Sequence, residues 1–432
     1  QKDMSQLKAK SDIPVLYKQN VANDLFQLIY VFDMGNNHDK ALGTAFDYLE
    51  YLGTSDMTPE ELKSEFYRLA CTFYVSPGNE RTYVVLSGLN ENMPAAVQLF
   101  EKLLADAQVN KEAYTNMTSD ILKARSDAKL NQGQNFSRLM SFAMYGPKSP
   151  ATNLLTEAEL TNMNPQELVD RIHNQNSYKH RILYYGPSSS KDLLATINQY
   201  HQVPAALKDI PAGNEYSYLE TPVTKVLVAP YDAKQIYMAQ ISNLDKKYDP
   251  AIEPIRALYD EYFGGGMNSI VFQEMRETRG LAYSAWASIM PPSYLKYPYV
   301  LRTQIATQND KMIDAVTTFN DIINNMPESE AAFKLAKDGL TNRLRTERII
   351  KGDIIWSYIN AQDLGQNVDP RIKLYNDIQN MSLKDIVDFQ KQWVKGRTYV
   401  YCILGDKKDL ELDKLKAVGP IEELTQEQIF GY

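Results

Sequence analysis

The chain has 432 residues, of which 44% are apolar and 23% charged, proportions typical of a soluble globular protein with more than one core. Its net charge of -8 argues against nucleic acid as the main partner, because phosphate binding needs clustered lysine and arginine. No apolar run reaches the roughly 20 residues that cross a bilayer, so we expect a soluble protein without a membrane span. The sequence does not decide between the cytoplasm and the periplasm.

The first half of the chain predicts strands by period-two apolar patterns and helices by apolar residues three and four apart. The segment Thr58-Pro59-Glu60-Glu61 marks one helix start, with a capping threonine, a proline and two acids. The predicted strands are Pro14–Asn20, Asp24–Met34, Cys71–Val75, Thr82–Leu89 and Arg181–Tyr185. The predicted helices are Lys40–Leu52, Pro59–Leu69, Pro94–Ala105, Lys111–Leu130, Asn135–Tyr145 and Pro165–Asn174.

The same order of elements begins again after a linker near Pro204–Tyr218. Several glycines recur at a fixed spacing of 219 residues, for example 365 less 146. The pairs are Gly133 and Gly352, Gly146 and Gly365, and Gly186 and Gly405. A repeat this long indicates duplicated domains rather than a solenoid, whose units are about 20 to 50 residues. We therefore predict an α+β protein of two duplicated domains, residues 1–210 and 211–432, each a mostly antiparallel sheet packed with helices.

The most distinctive stretch of the second copy is FGGGMNSIVFQEMRETRGLAYSAWAS, which begins at Phe263. Three glycines near its start suit a sharp entry into a short helix: Gly264, Gly265 and Gly266. Gly280 is placed to end that helix, and strict alternation right after it predicts a strand. Arg276 and Tyr283 therefore lie on either side of a helix-to-strand corner, where both can point into one cavity. No Gly-Lys-Ser or Gly-Lys-Thr follows the glycines, which argues against a phosphate loop.

The first copy carries a turn, Leu52-Gly53-Thr54, and the helix start at Thr58 that follows it. This layout resembles the pitrilysin and insulinase family of inverted zinc metallopeptidases, with a fold like LuxS and mitochondrial processing peptidase. In that family an H-x-x-E-H helix precedes the turn. Here its histidine positions fall on Thr44 and Tyr48, and its glutamate position falls on Asp47.

Zinc hydrolysis needs two imidazoles one helical turn apart, a third ligand and a carboxylate base. Threonine and tyrosine cannot replace the imidazoles, and the helix segment Asp120–Arg125, where the resemblance implies the distal glutamate ligand, contains no glutamate. We therefore expect no metal in this chain and interpret Asp47 as a solvated helix acid. The histidines show no zinc-binding spacing either: His38, His173, His180 and His201.

The second copy is similar to the non-zinc half of the same family, whose glycine-rich segment ends in R-G-L-A-Y. The resemblance implies a half clamshell in which Arg276 and Tyr283 contact substrate and stabilise the transition state for a partner zinc half. It also implies that the three glycines contact substrate. Arg279, three residues after Arg276, remains the alternative arginine.

We therefore expect a non-zinc half of a two-half peptidase that hydrolyses unfolded peptides. The zinc would be held by an H-x-x-E-H half, either upstream in the same polypeptide or in a separate subunit. Two alternatives remain: a catalytically inactive relative that binds peptides or serves assembly, and an independent hydrolase that uses Asp47 or the histidines. Because the sequence starts with Gln1, we expect a processed product or a fragment.

The two cysteines, Cys71 and Cys402, each lie in an apolar stretch far apart in the sequence. We interpret both as buried free thiols rather than a disulfide.

Overall fold

The computed structural model describes residues 4–349 and 352–432, in which the strands form two six-stranded sheets. The strands of the first sheet are β1 (Ser5–Lys8), β2 (Pro14–Gln19), β3 (Leu25–Phe32), β4 (Cys71–Pro77), β5 (Thr82–Leu89) and β6 (Arg181–Gly186). Those of the second are β7 (Lys225–Pro230), β8 (Gln235–Lys247), β9 (Ser284–Met290), β10 (Pro298–Gln308), β11 (Val400–Gly405) and β12 (Ile421–Glu423).

Helices flank both sheets. In the first half they are α1 (Leu42–Leu49), α2 (Pro59–Arg68), α3 (Met93–Asp106), α4 (Lys111–Lys129), α5 (Gln132–Tyr145), α6 (Glu157–Asn162), α7 (Gln166–Asn174) and α8 (Ser190–Tyr200). In the second half they are α9 (Glu253–Phe263), α10 (Ile270–Phe272), α11 (Met312–Asn324), α12 (Glu330–Thr346), α13 (Asp353–Asp363), α14 (Pro370–Ile378), α15 (Leu383–Trp393), α16 (Leu412–Leu415) and α17 (Gln426–Phe430).

The two sheets share one topology. The first has the order β1-β2-β6-β3-β5-β4 and the second the order β12-β7-β11-β8-β10-β9. In each, a parallel pair, β2 with β6 and β7 with β11, adjoins an antiparallel set of strands. Corresponding strands occupy corresponding places, so the predicted α+β fold with a duplicated, mostly antiparallel sheet is confirmed.

Most predicted elements of the first half are present with shifted ends. A short polar connection links β2 to β3 in the chain, but β6 lies between these two strands in the sheet. The parallel strand β6 comes from the far end of the repeat, and a local pattern cannot reveal that partner. The predicted helix start is confirmed, because the Thr58 hydroxyl accepts the Glu61 N–H at 3.2 Å and Glu61 Oε2 accepts the Thr58 N–H at 2.8 Å.

The chain divides into two compact units that cut across the predicted domains 1–210 and 211–432. The second unit begins its main segment at Tyr216, yet it also takes up Asp127–Thr152, which contains α5. The physical reason is the apolar face of α5. Phe136 and Leu139 are buried together with side chains of the second sheet such as Cys402. Conversely, a short segment that ends at Trp356 belongs to the first unit. The Trp356 ring packs edge-on against the ring of Tyr83 in β5, with 5.0 Å between the ring centroids.

Both cysteines are buried free thiols, as predicted. Burial raises the pKa of Cys402 to about 12, so this thiol is unreactive near neutral pH. No helix among the described residues is long and apolar enough to cross a membrane.

Candidate functional site

The glycine stretch ends α9 and brings it against strand β9. The Gly264 and Gly265 N–H groups both donate to the Asp260 carbonyl oxygen, at 3.1 and 2.7 Å. A Cβ on Gly264 would lie 2.3 Å from the carbonyl oxygen of Ala287, whereas one on Gly266 would meet nothing within 4 Å. The structure thus explains Gly264 by close packing, and a role of the three glycines in substrate binding stays a prediction.

The end of α9 also occupies the outer side of β9, which is an edge strand. The Ala287 N–H donates to the Gly264 carbonyl oxygen at 3.4 Å, and the Ile289 N–H donates to Asp260 Oδ1 at 2.9 Å. Arg256 Nη1 donates to the Ile289 carbonyl oxygen at 3.0 Å and to Asp260 Oδ2 at 2.9 Å. Burial raises the pKa of Asp260 to about 6 despite the neighbouring guanidinium. Strand β9, which directly follows Tyr283, is therefore held against α9 by these hydrogen bonds.

Arg276 lies in a segment of unusual helical geometry. The predicted single helix is in fact α10, begun by the Ser269 cap, followed by a π-helical turn over Gln273–Thr278. Such turns occur often at functional sites. The Arg276 guanidinium lies 5.2 Å from the Phe272 ring centroid and its Nε is 3.7 Å from a carboxylate oxygen of Glu277, with about half of the side chain exposed. Its charge is therefore accessible.

Tyr283 follows in a loop, since β9 begins at Ser284 rather than directly after Gly280 as predicted. Gly280 has a φ of +58°, and its carbonyl oxygen accepts from Lys311 Nζ at 3.2 Å. The Tyr283 N–H donates to the Ala306 carbonyl oxygen at 2.9 Å, which fixes the residue to β10.

The Tyr283 side chain is 55% exposed, and its phenol oxygen has no hydrogen-bond partner among the described residues. It borders a cavity of about 210 Å³ together with Gln308, Lys311 and the loop that starts at Gly280. Arg276 is not among the residues that line this cavity, and a cavity shared by Arg276 and Tyr283 stays a prediction. Arg279, the alternative arginine, is 44% exposed and reaches Glu274 at 3.5 Å.

The corresponding corner of the first unit is closed. Tyr48 is fully buried on α1, and its hydroxyl donates to the Asn110 carbonyl oxygen at 2.6 Å and accepts the Asn110 N–H at 2.7 Å. Its ring packs edge-on against Tyr114 at 5.8 Å. Asp47 lies on the same helix, and burial together with the charge of Glu50 raises its pKa.

Comparisons with known proteins agree with this geometry. A model of the "Peptidase M16 inactive domain" matches residues 182–340. A non-peptidase homolog, YmxG of Helicobacter pylori, is 23% identical over 422 residues, which is 92% of this chain and 93% of that protein. An uncharacterized zinc protease of Rickettsia felis is 20% identical over 263 residues, covering 58% of this chain and 60% of that protein. The chain is thus similar to the inactive domain of M16 peptidases over residues 182–340.

Solved structures show the same fold. The M16 inactive domain from Pseudomonas fluorescens superposes with a TM-score of 0.72 at 15% identity, over 94% of this chain and 98% of that one. The periplasmic protease PqqL from Escherichia coli superposes with a TM-score of 0.74 at 14% identity, over 94% of this chain. The chain spans 46% of the length of PqqL.

The zinc of M16 peptidases does not fit the residues of this chain. Tyr48 uses its hydroxyl on backbone groups, and Thr44 offers no imidazole. In the segment expected to hold the distal ligand, Arg125 Nη2 donates to the Leu155 carbonyl oxygen at 2.7 Å. Across residues 4–349 and 352–432, no group of three His, Cys, Asp or Glu side chains could hold a metal ion. The positions that correspond to the zinc site of M16 peptidases thus hold residues that do not suit zinc binding.

Sequence reasoning missed a buried polar network in the first unit, centred on Glu101 of α3. Glu101 Oε1 accepts from the Tyr30 hydroxyl at 2.9 Å and lies 2.5 Å from His201 Nδ1. Glu101 Oε2 accepts from Asn176 Nδ2 and from the Gln202 N–H, each at 3.0 Å. The four partners lie up to 101 residues away along the chain, so no local motif indicates them.

The geometry of this network shows which ring nitrogens of His180 and His201 carry a hydrogen atom. His180 Nδ1 lies 2.6 Å from the Tyr178 carbonyl oxygen and therefore carries a hydrogen. Burial, with the neighbouring His201, lowers the pKa of His180 to about 3, so the ring is neutral at pH 7 and its Nε2 is an acceptor. His201 Nε2, 2.8 Å away, must then donate. One further proton lies between His201 Nδ1 and Glu101. Because both histidines are buried, the hypothesis of a hydrolase built on them has no support from the structure.

Proposed function

We propose that this chain is the non-zinc half of a two-half M16 metallopeptidase and contributes substrate and transition-state contacts through Arg276 and Tyr283. The observation that carries the proposal is the contrast between two tyrosines. Tyr48, at the zinc position, is buried with its hydroxyl hydrogen-bonded to the backbone. Tyr283 presents an exposed phenol beside a cavity, and no other described residue hydrogen-bonds to it.

The chemistry of these two side chains suits peptide hydrolysis. When a peptide carbonyl is attacked, negative charge develops on its oxygen, and donors already aimed at that position stabilise it. A phenol O–H and a guanidinium N–H are both such donors, and the guanidinium can also hold a substrate carbonyl in a fixed geometry. The attack itself requires the partner half, which we propose bears H-x-x-E-H and the zinc.

That partner is either an upstream part of the same polypeptide or a separate subunit. PqqL, a periplasmic protease that is about twice as long as the region matched here, supports a two-half arrangement. Substrates are proposed to be unfolded peptides, and the exposed Gly266 backbone is the glycine best placed to touch them.

Reconstitution tests this function. Mixing the chain with an H-x-x-E-H-bearing M16 half from the same organism should restore cleavage of an unfolded peptide. Tyr283→Phe should then lower kcat by about 10²–10³-fold, as for the loss of one oxyanion donor. Arg276→Ala should lower kcat/KM, and Arg279→Ala should do so less. Tyr74→Phe, which changes an exposed tyrosine of β4, is the matched control and should leave the rate unchanged. Unaltered rates in both Tyr283→Phe and Arg276→Ala would refute the catalytic role.

A second candidate is a catalytically inactive module for peptide binding or assembly. The Helicobacter pylori relative is named a non-peptidase homolog, which favours this candidate. In that case no H-x-x-E-H partner should restore cleavage, while the chain should still bind peptides or purify with a partner.

A further inference from the structure

Arg302 lies in the middle of β10, on the face of the second sheet that α5 covers over the neighbouring strands. Val300, two residues earlier, is buried with Phe136 of α5. Side chains two apart in a strand share a face, so Arg302 and Gln304 lie on it too. Trp286 of β9 is paired in register with Gln304 and belongs to the same face. The side chains of Arg302, Gln304 and Trp286 are half-buried and form one continuous surface.

The guanidinium of Arg302 has an aromatic neighbour, but no carboxylate pairs with it in the part of the chain that the structure describes. Its carbon Cζ lies 5.2 Å from the Trp286 ring centroid, and its Nη2 donates to Gln304 Oε1 at 3.0 Å. Its Nε is buried without a partner, and Nη1 bonds to no acceptor among the described residues. By contrast Arg256, also in the second unit, binds the carboxylates of Glu253 and Asp260.

This lack of a carboxylate partner does not come from a shortage of acids, since the chain has 54 acidic and 46 basic residues. Burial lowers the pKa of Arg302, as expected where no nearby carboxylate compensates the desolvated charge. A partly buried cation without a counter-ion is destabilising, and an arriving anion would remove that penalty. Arginine is the side chain best suited to hold a carboxylate through two parallel N–H donors.

We infer that Arg302, laid across Trp286, binds a carboxylate of an extended peptide on this face of the second sheet. The indole fixes the guanidinium plane, and Nη1 is the donor left for the ligand. The inference rests on the proposed function for the class of ligand, a peptide, and it adds acidic character to the substrates. An acidic side chain and a free peptide C-terminus offer the same chemistry.

Binding of short peptides to the full chain tests the inference. The probes are three five-residue alanine peptides: one with a central aspartate and blocked ends, its asparagine analogue, and one with a free C-terminal carboxylate. The chain has three tryptophans, so two-dimensional NMR gives three indole N–H signals, and Trp286→Phe identifies that of Trp286. We expect a carboxylate peptide to shift the Trp286 signal and to bind at least about tenfold tighter than the asparagine peptide, which is about 1.4 kcal/mol.

Arg302→Met should abolish this preference, and Arg302→Gln, which keeps an amide donor, should do the same and serves if the first variant folds poorly. The matched control is Arg345→Met. Arg345 also lies over an aromatic ring, 5.6 Å from the Tyr375 centroid, but it is exposed and its Nε already donates to the Tyr375 hydroxyl at 3.0 Å. This variant should keep the full preference.

Preference for the aspartate peptide assigns the ligand to a side chain, and preference for the free terminus alone assigns it to a peptide end; both support the inference. Equal affinity for the aspartate and asparagine peptides with no gain at the free terminus, no binding of any peptide, or a preference retained in both Arg302 variants would overturn it. Because no cleavage is measured, this outcome is separate from the Tyr283→Phe test of the proposed function.

Discussion

Glu101 offers a direct test of the buried network, because its carboxyl group is hydrogen-bonded to three side chains and one backbone N–H. Glu101→Ala would leave the donors of Tyr30, Asn176 and Gln202 without an acceptor and His201 Nδ1 without its partner. Glu101 is 1% exposed and His201 is 0% exposed, so water has little access to replace the carboxylate. Leaving one buried polar group without its partner costs about 1–3 kcal/mol, and several are left here, so we take a total of about 3–5 kcal/mol. We expect the free energy of opening of the first unit to fall by that amount.

Glu101→Gln is the matched variant, because its amide can satisfy most of the same groups. The amide oxygen can accept from the Gln202 N–H and Asn176, while the NH₂ can donate to a neutral His201 Nδ1. The Tyr30 hydroxyl then loses its acceptor, and a buried hydrogen bond of this kind contributes about 0.5–1.5 kcal/mol. The glutamine variant should therefore lose about 1 kcal/mol if the shared proton resides on Glu101, and several times more if it resides on His201.

Native-state hydrogen exchange read by mass spectrometry on peptides from α3 and α8 measures these changes, because it reports the opening of the first unit by itself. Peptides from α9 and β10 serve as the internal control and should exchange as in the unaltered chain. If Glu101→Ala lowered protection by less than about 1 kcal/mol, the network would not stabilise the unit as argued.

Three further outcomes follow from single contacts. Gly264→Ala should lower the free energy of urea unfolding by about 1–3 kcal/mol, because its Cβ would collide with a carbonyl oxygen of β9. Gly266→Ala, the control, should be neutral or raise that free energy by up to about 1 kcal/mol. Similar effects of the two substitutions would contradict the packing argument. Tyr48→Phe should lower the melting temperature, because it removes two hydrogen bonds to Asn110 that together contribute about 1–3 kcal/mol. An unchanged melting temperature would count against a structural role of the Tyr48 hydroxyl. His180 has a folded pKa of about 3, below its ordinary 6.5, so between these values the unfolded chain takes up a proton that the native chain does not. The free energy that protects β6 against hydrogen exchange should therefore fall by up to about 1.4 kcal/mol per pH unit as the pH is lowered from 6.5 to 3.5. Constant protection over this range would contradict the low pKa of His180.

The sequence predicted those helices and strands well whose formation depends on residues close together in the chain. The cap at Thr58 and the strand Thr82–Leu89 depend on neighbouring residues, and both are present as predicted. Comparison of the two copies predicted the duplication, since matched glycines reflect matched topology. The resemblance to M16 peptidases supplied the candidate residues Arg276 and Tyr283, which spacing alone could not have distinguished from a surface cation and a strand residue.

The rest depends on partners that lie far apart in the chain. The amphipathic face of α5 shows that the helix is half-buried but not which sheet buries it, and this is why it lies in the second unit. The π-helical turn at Gln273–Thr278 shifts the helix end and delays β9, and no apolar period signals it. Glu101 and His201 are 100 residues apart. In the sequence, Glu101 has the pattern of an ordinary helix acid and His201 that of an isolated histidine.

The contact between α9 and β9 has a consequence for self-association. An edge strand is the place where a strand of another molecule can add, and chains in a cell are exposed to that hazard during and after folding. Here the outer backbone groups of Ala287 and Ile289 are already bonded to α9, so this half of the edge cannot extend the sheet. Gly264→Ala, by pushing the helix end away, should therefore promote aggregation as well as lower stability.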